Sequence, residues 1–122
     1  MSTIKTETLS TPSNTTVPVD TVVNGTAKAW VNFNGTGTVA IRRAFNVSSI
    51  TDNGTGDFTV NFSTAMSDAN YAVVVGPGKQ SNSWAFLYSS TILKTTSQVK
   101  LLPHNFSGGS VDSEYVEVAI FS

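Results

Sequence analysis

Between residues 26 and 62 apolar and polar side chains take turns along the chain, and the tetrapeptide NGTG occurs twice, at residues 34–37 and 53–56. Ala27, Ala29, Val31 and Phe33 fall on one parity, and Phe58, Val60 and Phe62 repeat the pattern further on. A period of two belongs to a strand with one dry and one wet face, because successive side chains on a pleated backbone point to opposite sides. Asn and Gly tolerate the positive φ of tight hairpin turns, so each NGTG copy is a predicted reversal point between antiparallel strands.

The remainder of the chain reads in the same way. Strands are predicted at residues 26–33, 38–42, 45–50, 58–63, 71–76, 84–89, 98–102 and 114–121, separated by Gly, Asn, Pro and Ser. Short strands at intervals of about eight to twelve residues are the signature of an all-β sandwich or barrel. The expected fold is an antiparallel β-sandwich of about eight strands, jelly-roll or immunoglobulin-like, over residues 26–122. An extended N-terminal arm over residues 1–25 precedes it. The arm is rich in Thr, is interrupted by Pro12 and Pro18, and scatters its apolar residues too thinly to bury a core of its own. Helix is expected only as a single turn at residues 67–70, capped by Ser67.

Composition narrows the function. Charged residues make up 12% of the chain and the formal net charge is −1, so no basic field draws nucleic acid or an anionic membrane. Partners must be held by shape, hydrogen bonds and apolar contact. No run of eighteen apolar residues marks a membrane-spanning helix, and residues 1–16 lack the apolar stretch of a secretory signal, so synthesis in a cytoplasm is expected. The chain has no cysteine, which excludes a disulfide framework. Asn-x-Ser/Thr triplets recur, as expected in a chain that is roughly one third Ser, Thr and Asn.

Two strands have no evident wet side. Residues 71–75 and the end of 114–121 are apolar on both faces, which is the pattern of strands covered from two directions. Burial beyond one small sandwich is therefore expected, supplied by copies of the same chain. Trp30 sits on the polar parity of its strand with Lys28 and Asn32, where an aromatic ring serves as an intersubunit anchor or an exposed platform. Ile4 and Leu9 are the arm's counterparts at an interface.

The candidate catalytic and metal patterns are weak. His104 is the single histidine and no G-x-S-x-G elbow accompanies it, so a triad is not supported. Residues 52–57 carry two aspartates around Gly54 and Gly56 but do not match a calcium loop. Glu114 and Glu117 are three apart on a strand and face opposite ways, which breaks the carboxylate pair a glycosidase needs. Gly76-Pro77-Gly78-Lys79 lacks the spacing of a phosphate loop. No catalytic residue, metal or cofactor is assigned. Binding is expected instead on loops at residues 76–83, 91–97 and 106–113, grouped at the distal end of the sandwich. The contact residues would be Lys79, Gln80, Asn82 and His104, with Trp84 at a rim where its ring could stack on a sugar. Trp84, Phe86 and Tyr88 share a strand face that otherwise reads as core.

AKAWVNFNGTGTVAIR at residues 27–42, FNVSSITDNGTGDFTVNF at 45–62 and MSDANYAV at 66–73 together resemble a module found near the C-terminus of tail fibre and related appendage proteins of bacteriophages, especially phages of aquatic bacteria. Ser67 stands where that family often has Pro, and the opening Met1-Ser2-Thr3-Ile4-Lys5 is similar to the start of such fibres. The resemblance implies a structural virion protein, a homotrimer attached to the tail or capsid through residues 1–25. Contact with host surface carbohydrate is a further implication. The alternative is a capsid decoration or head-fibre protein, and an enzyme acting on envelope polysaccharide is a more distant one.

Overall fold

The computed structural model describes residues 2–76, 88–105 and 107–122. Its sandwich consists of two four-stranded antiparallel sheets. The strands are β3 (Ala29–Asn34), β4 (Ala40–Phe45), β5 (Val47–Gly54), β6 (Asp57–Phe62), β7 (Ala72–Gly76), β8 (Tyr88–Lys94), β9 (Gln98–His104) and β10 (Val116–Phe121). Before them come a small hairpin of β1 (Thr8–Ser10) and β2 (Thr16–Pro18) and a short helix, α1 (Val19–Gly25). One sheet has the order β4-β3-β10-β7 and the other β5-β6-β9-β8. The order supplies what residue spacing left open: the first and last sandwich strands are neighbours, and three hairpins are linked by crossings from sheet to sheet.

Alternation places the core. Ala29, Val31 and Phe33 of β3 and Val116, Val118 and Ile120 of β10 point inward against Phe58, Val60 and Phe62 of β6 and Val99 and Leu101 of β9. Two edge-to-face aromatic pairs close the interior. Phe33 and Phe58 lie with ring centroids 5.3 Å apart, and Phe62 and Tyr71 with centroids 5.8 Å apart. Such geometry sets the positive edge of one ring against the negative face of the other.

The two NGTG copies both reverse the chain, by different means. Gly54 and Gly56 take positive φ in the β5–β6 turn, whereas the β3–β4 connection is a five-residue loop in which Gly37 alone has positive φ. The asparagines of these repeats act through their side chains: Asn34 Oδ1 accepts from the Thr36 amide at 3.0 Å, and Asn53 Nδ2 donates to Thr59 Oγ1 at 2.8 Å. Left-handed backbone falls instead on Asn46, between β4 and β5, and on Asn14 in the arm.

Helix lies elsewhere than expected. Residues 67–70 form no helical turn; the Asp68 carboxylate accepts from the Asn70 amide at 2.7 Å and makes a side-chain turn there. The helix is α1, which follows Pro18, carries Asp20 in its first turn and buries none of its residues. Lys28 Nζ donates to the Val23 carbonyl of the last turn and to the Thr26 carbonyl just past it, where a cation complements the helix C-terminus. The arm is thus a hairpin and a helix rather than one extended segment.

Candidate functional site

The outer face of the β4-β3-β10-β7 sheet carries the most distinctive surface. Pairing registers align its outward side chains in rows. Trp30 stands opposite Phe45 on one side and Ala119 on the other, and Ala119 stands opposite Val74. This row is apolar across all four strands. Val74 is 55% exposed and Phe45 54%, while Trp30 is half-buried.

The next row is polar. Asn32 is opposite Arg43 and Glu117, and Glu117 is opposite Gly76. A register shift at Asn32/Phe33 leaves Arg42 as the extra residue on β4. Arg42 Nη1 donates to Asn32 Oδ1 at 3.3 Å, Asn32 Nδ2 donates to Glu117 Oε1 at 3.2 Å, and the guanidinium lies 4.4 Å from the Tyr115 ring centroid. The carboxylate, amide and guanidinium are therefore held in one aligned row.

Between the rows lies a groove of about 370 Å³ bordered by Trp30, Asn32, Val74, Gly76, Glu117 and Ala119. Small residues make it: Ala119 and Gly76 lie low between the Trp30 ring and the Val74 and Glu117 side chains. A Cβ at position 76 would sit 3.2 Å from Glu117 Oε2, so glycine lets that carboxylate lie over the strand. The groove combines an apolar floor with a few polar groups along one border, the usual character of a ligand or peptide cleft.

Trp30 thus faces outward as its parity implied, and Ile4 and Leu9 lie exposed in the arm, at 89% and 47%. Residues 71–75 and the end of 114–121, apolar on both faces, fall on the adjacent partners β7 and β10, and the outer face of β10 also carries the exposed Glu117. Lys79, Gln80, Asn82 and Trp84 lie outside the described residues, as does Phe86. His104 closes β9, half-buried and bridged to Ser110, rather than lying in a loop beyond the strand.

Of the three expected binding loops, residues 77–83 lie outside the described residues, and the other two lie at opposite ends of the sandwich. The Phe62 amide donates to Ser97 O at 2.9 Å and Met66 to Thr96 O at 2.8 Å, so the β8–β9 turn lies where β3 begins and the arm departs. Residues 91–94 belong to β8 itself. At the opposite end the Gly35 amide donates to Ser113 O and Val111 to Pro103 O, gathering residues 35–39, 55–56 and 107–115. The carboxylates contribute to turns and pairs: Asp52 Oδ1 accepts from the Gly54 amide, Asp112 Oδ1 from Gly56, and Asp57 pairs with Lys100 at 3.1 Å.

Among the described residues, no group of three or more His, Asp or Glu side chains is placed to hold a metal, and no helix is long and apolar enough to cross a membrane. Comparison with protein-family models, with curated proteins and with solved structures gives no match. Asn32, Arg42, Val74, Gly76, Glu117 and Ala119 were not singled out as a binding group in the sequence. Their signal was there in part: strand parity puts Trp30 with Asn32, but only the register between strands adds Glu117, Val74 and Gly76.

Proposed function

We propose that this chain is a structural virion protein, a short tail-fibre-like or spike-like appendage whose sandwich associates as a homotrimer and whose N-terminal arm fastens it to the particle. The observation that carries the reading is the row Phe45, Trp30, Ala119 and Val74, an apolar band across all four strands of the sheet whose two ends, Phe45 and Val74, are more than half exposed. Burying such a band contributes about 25 cal/mol per Å² of apolar surface, and Trp is enriched at such contacts. The arm supports attachment: Leu9, Val22 and Val23 all project into solvent. Sequence resemblance to phage appendage modules supports the setting. Loops around residues 35–39, 55–56 and 107–115, at the end away from the arm, are the surface that would meet host carbohydrate.

The test is location and assembly state. Antibody against the sandwich should label the tail of intact particles, and sedimentation of the purified chain should give three times the chain mass. Trp30→Ser should lower that mass while leaving the β-type circular dichroism spectrum intact. Labelling of the head would support the decoration or head-fibre alternative. A wild-type chain that sediments as a monomer across the micromolar range would remove the assembly claim.

A further inference from the structure

We infer that the groove beside Trp30 receives the N-terminal segment of a second copy of this chain, with Ile4 entering the groove and Lys5 reaching Glu117. This rests on the reading that copies associate, and it names which surfaces meet.

Three observations select the arm as the occupant. The first is shape. Two flat sheet faces laid together would leave the depression over Ala119 and Gly76 as a void, and unfilled apolar space forfeits packing. A single extended segment with one branched side chain fills it. Ile4 is that kind of residue, and at 89% exposure it is the most exposed of the large hydrophobic residues described.

The second is charge. In an extended segment Lys5 and Glu7 point the same way, about 7 Å apart. The polar row of the groove presents Glu117 on β10 and Arg43 on β4, two strands away and so about 9–10 Å across. Glu117 makes no ion pair with a described residue, and its Oε2 lies open over Gly76. Laid from β10 towards β4, the segment sets Lys5 against Glu117 and Glu7 against Arg43. Laid in the reverse sense it sets like charges together, so the charges also fix polarity.

The third is origin. Described side-chain and backbone hydrogen bonds of the β1–β2 hairpin stay within residues 6–19, and Ile4 is not on its own groove. An arm given to the next copy, whose arm passes to a third, is a heterologous contact, which gives a ring where the rotation between copies closes and a filament where it does not.

The chain contains no cysteine, so a cross-link reports position without background. Full-length Ile4→Cys and Val74→Cys variants are mixed at micromolar concentration, oxidised mildly and resolved under denaturing, non-reducing conditions. The expected result is a disulfide dimer pairing one chain of each kind, in excess over either homotypic dimer. The Ile4→Cys/Val74→Cys double variant should then form chain-to-chain ladders rather than an internal loop. Lys5→Glu and Glu117→Lys should each weaken association by about two- to fivefold, the range of an exposed ion pair, and together restore it. Internal loops, homotypic dimers alone, or charge changes that add rather than compensate would overturn the inference. If sedimentation still shows an oligomer in that case, copies meet by another surface and the proposed assembly stands. A wild-type monomer would remove both.

Discussion

The amide of Gly56 donates to the carboxylate of Asp112 at 2.8 Å, joining the β5–β6 turn to the segment that leads into β10 across 56 positions of sequence. Gly56 also has φ +60°, and a Cβ there would lie 2.5 Å from the Val111 amide nitrogen and 3.0 Å from Pro103 O. Both are backbone atoms and cannot swing aside. Gly56→Ala should therefore combine left-handed strain with overpacking and cost about 2–4 kcal/mol. Gly37 has the same φ with nothing within 4 Å of a Cβ, so Gly37→Ala should cost only about 1–2 kcal/mol. Urea denaturation of the two variants measures the difference, and equal losses would mean that the close approach is absent.

Asn46 makes the corner where the chain leaves one sheet for the other. Its backbone is left-handed at φ +53°, its Nδ2 donates to Lys28 O at 3.0 Å and Thr64 O at 3.1 Å, and its Oδ1 accepts from the Thr64 amide at 2.7 Å. Asn is one of the few residues that tolerates this backbone and can also make those three bonds. Asn46→Ala loses both properties and should destabilise by about 2–4 kcal/mol. Asn46→Gly recovers the backbone alone and should fall between, about 1 kcal/mol more stable than the alanine variant. Melting temperatures in the order wild type, glycine, alanine are the expected readout.

The sequence is legible where a feature is local and silent where a tertiary contact decides it. Alternation at Ala29, Val31 and Phe33 revealed the dry face of β3 because the period of two is a local property. The same parity turned Trp30 outward. The two-sided apolar character of residues 71–75 and of the end of 114–121 marked two strands that prove to be neighbours. Local pattern says nothing of which strands pair, so the row from Phe45 to Val74 and the alignment of Asn32 with Glu117 could not be read. The opposed placement of the β8–β9 turn and residues 107–115 follows from sheet order in the same way. Asn46 and Asn14 carried no signal apart from the eight other asparagines, since a tertiary corner decides which of them adopts positive φ. Spacing alone rules Glu117 out of a carboxylate pair with Glu114, and only the register with Asn32 and Gly76 places it in the polar row of the outer face.

Tyr71 is almost fully buried, and its hydroxyl lies 2.8 Å from Thr95 O and 3.0 Å from Gln98 O. Burial raises its pKa above the ordinary 10.0, because the phenolate is poorly solvated there. The folded chain consequently holds the proton more tightly than the unfolded chain. Its contribution to stability is fully present below pH 10.0 and declines as pH rises from there through the folded pKa. Tyr71→Phe should lower stability near neutral pH through the lost hydroxyl bonds, by about 1 kcal/mol, and should narrow the gap to wild type at alkaline pH. Urea midpoints of both proteins on either side of pH 10.0 test the sign; a gap that widens with pH would contradict it.

Among the described residues the Phe33–Phe58 pair ties the two sheets together at the end away from the arm, and both rings are fully buried. At 5.3 Å between centroids and an interplanar angle of 73°, each ring contributes its area and a specific edge-to-face contact. Leucine retains much of the area and removes the contact. A double-mutant cycle of Phe33→Leu and Phe58→Leu should therefore reveal a coupling of about 0.5–1.5 kcal/mol. Phe62 provides the control, being four residues further along β6, or about 13 Å, and paired with Tyr71 instead. The cycle of Phe33→Leu with Phe62→Leu should be additive to within about 0.5 kcal/mol. Coupling in both cycles would show that the core responds as a whole to lost volume, and the contact between the sheets would then carry no energy of its own.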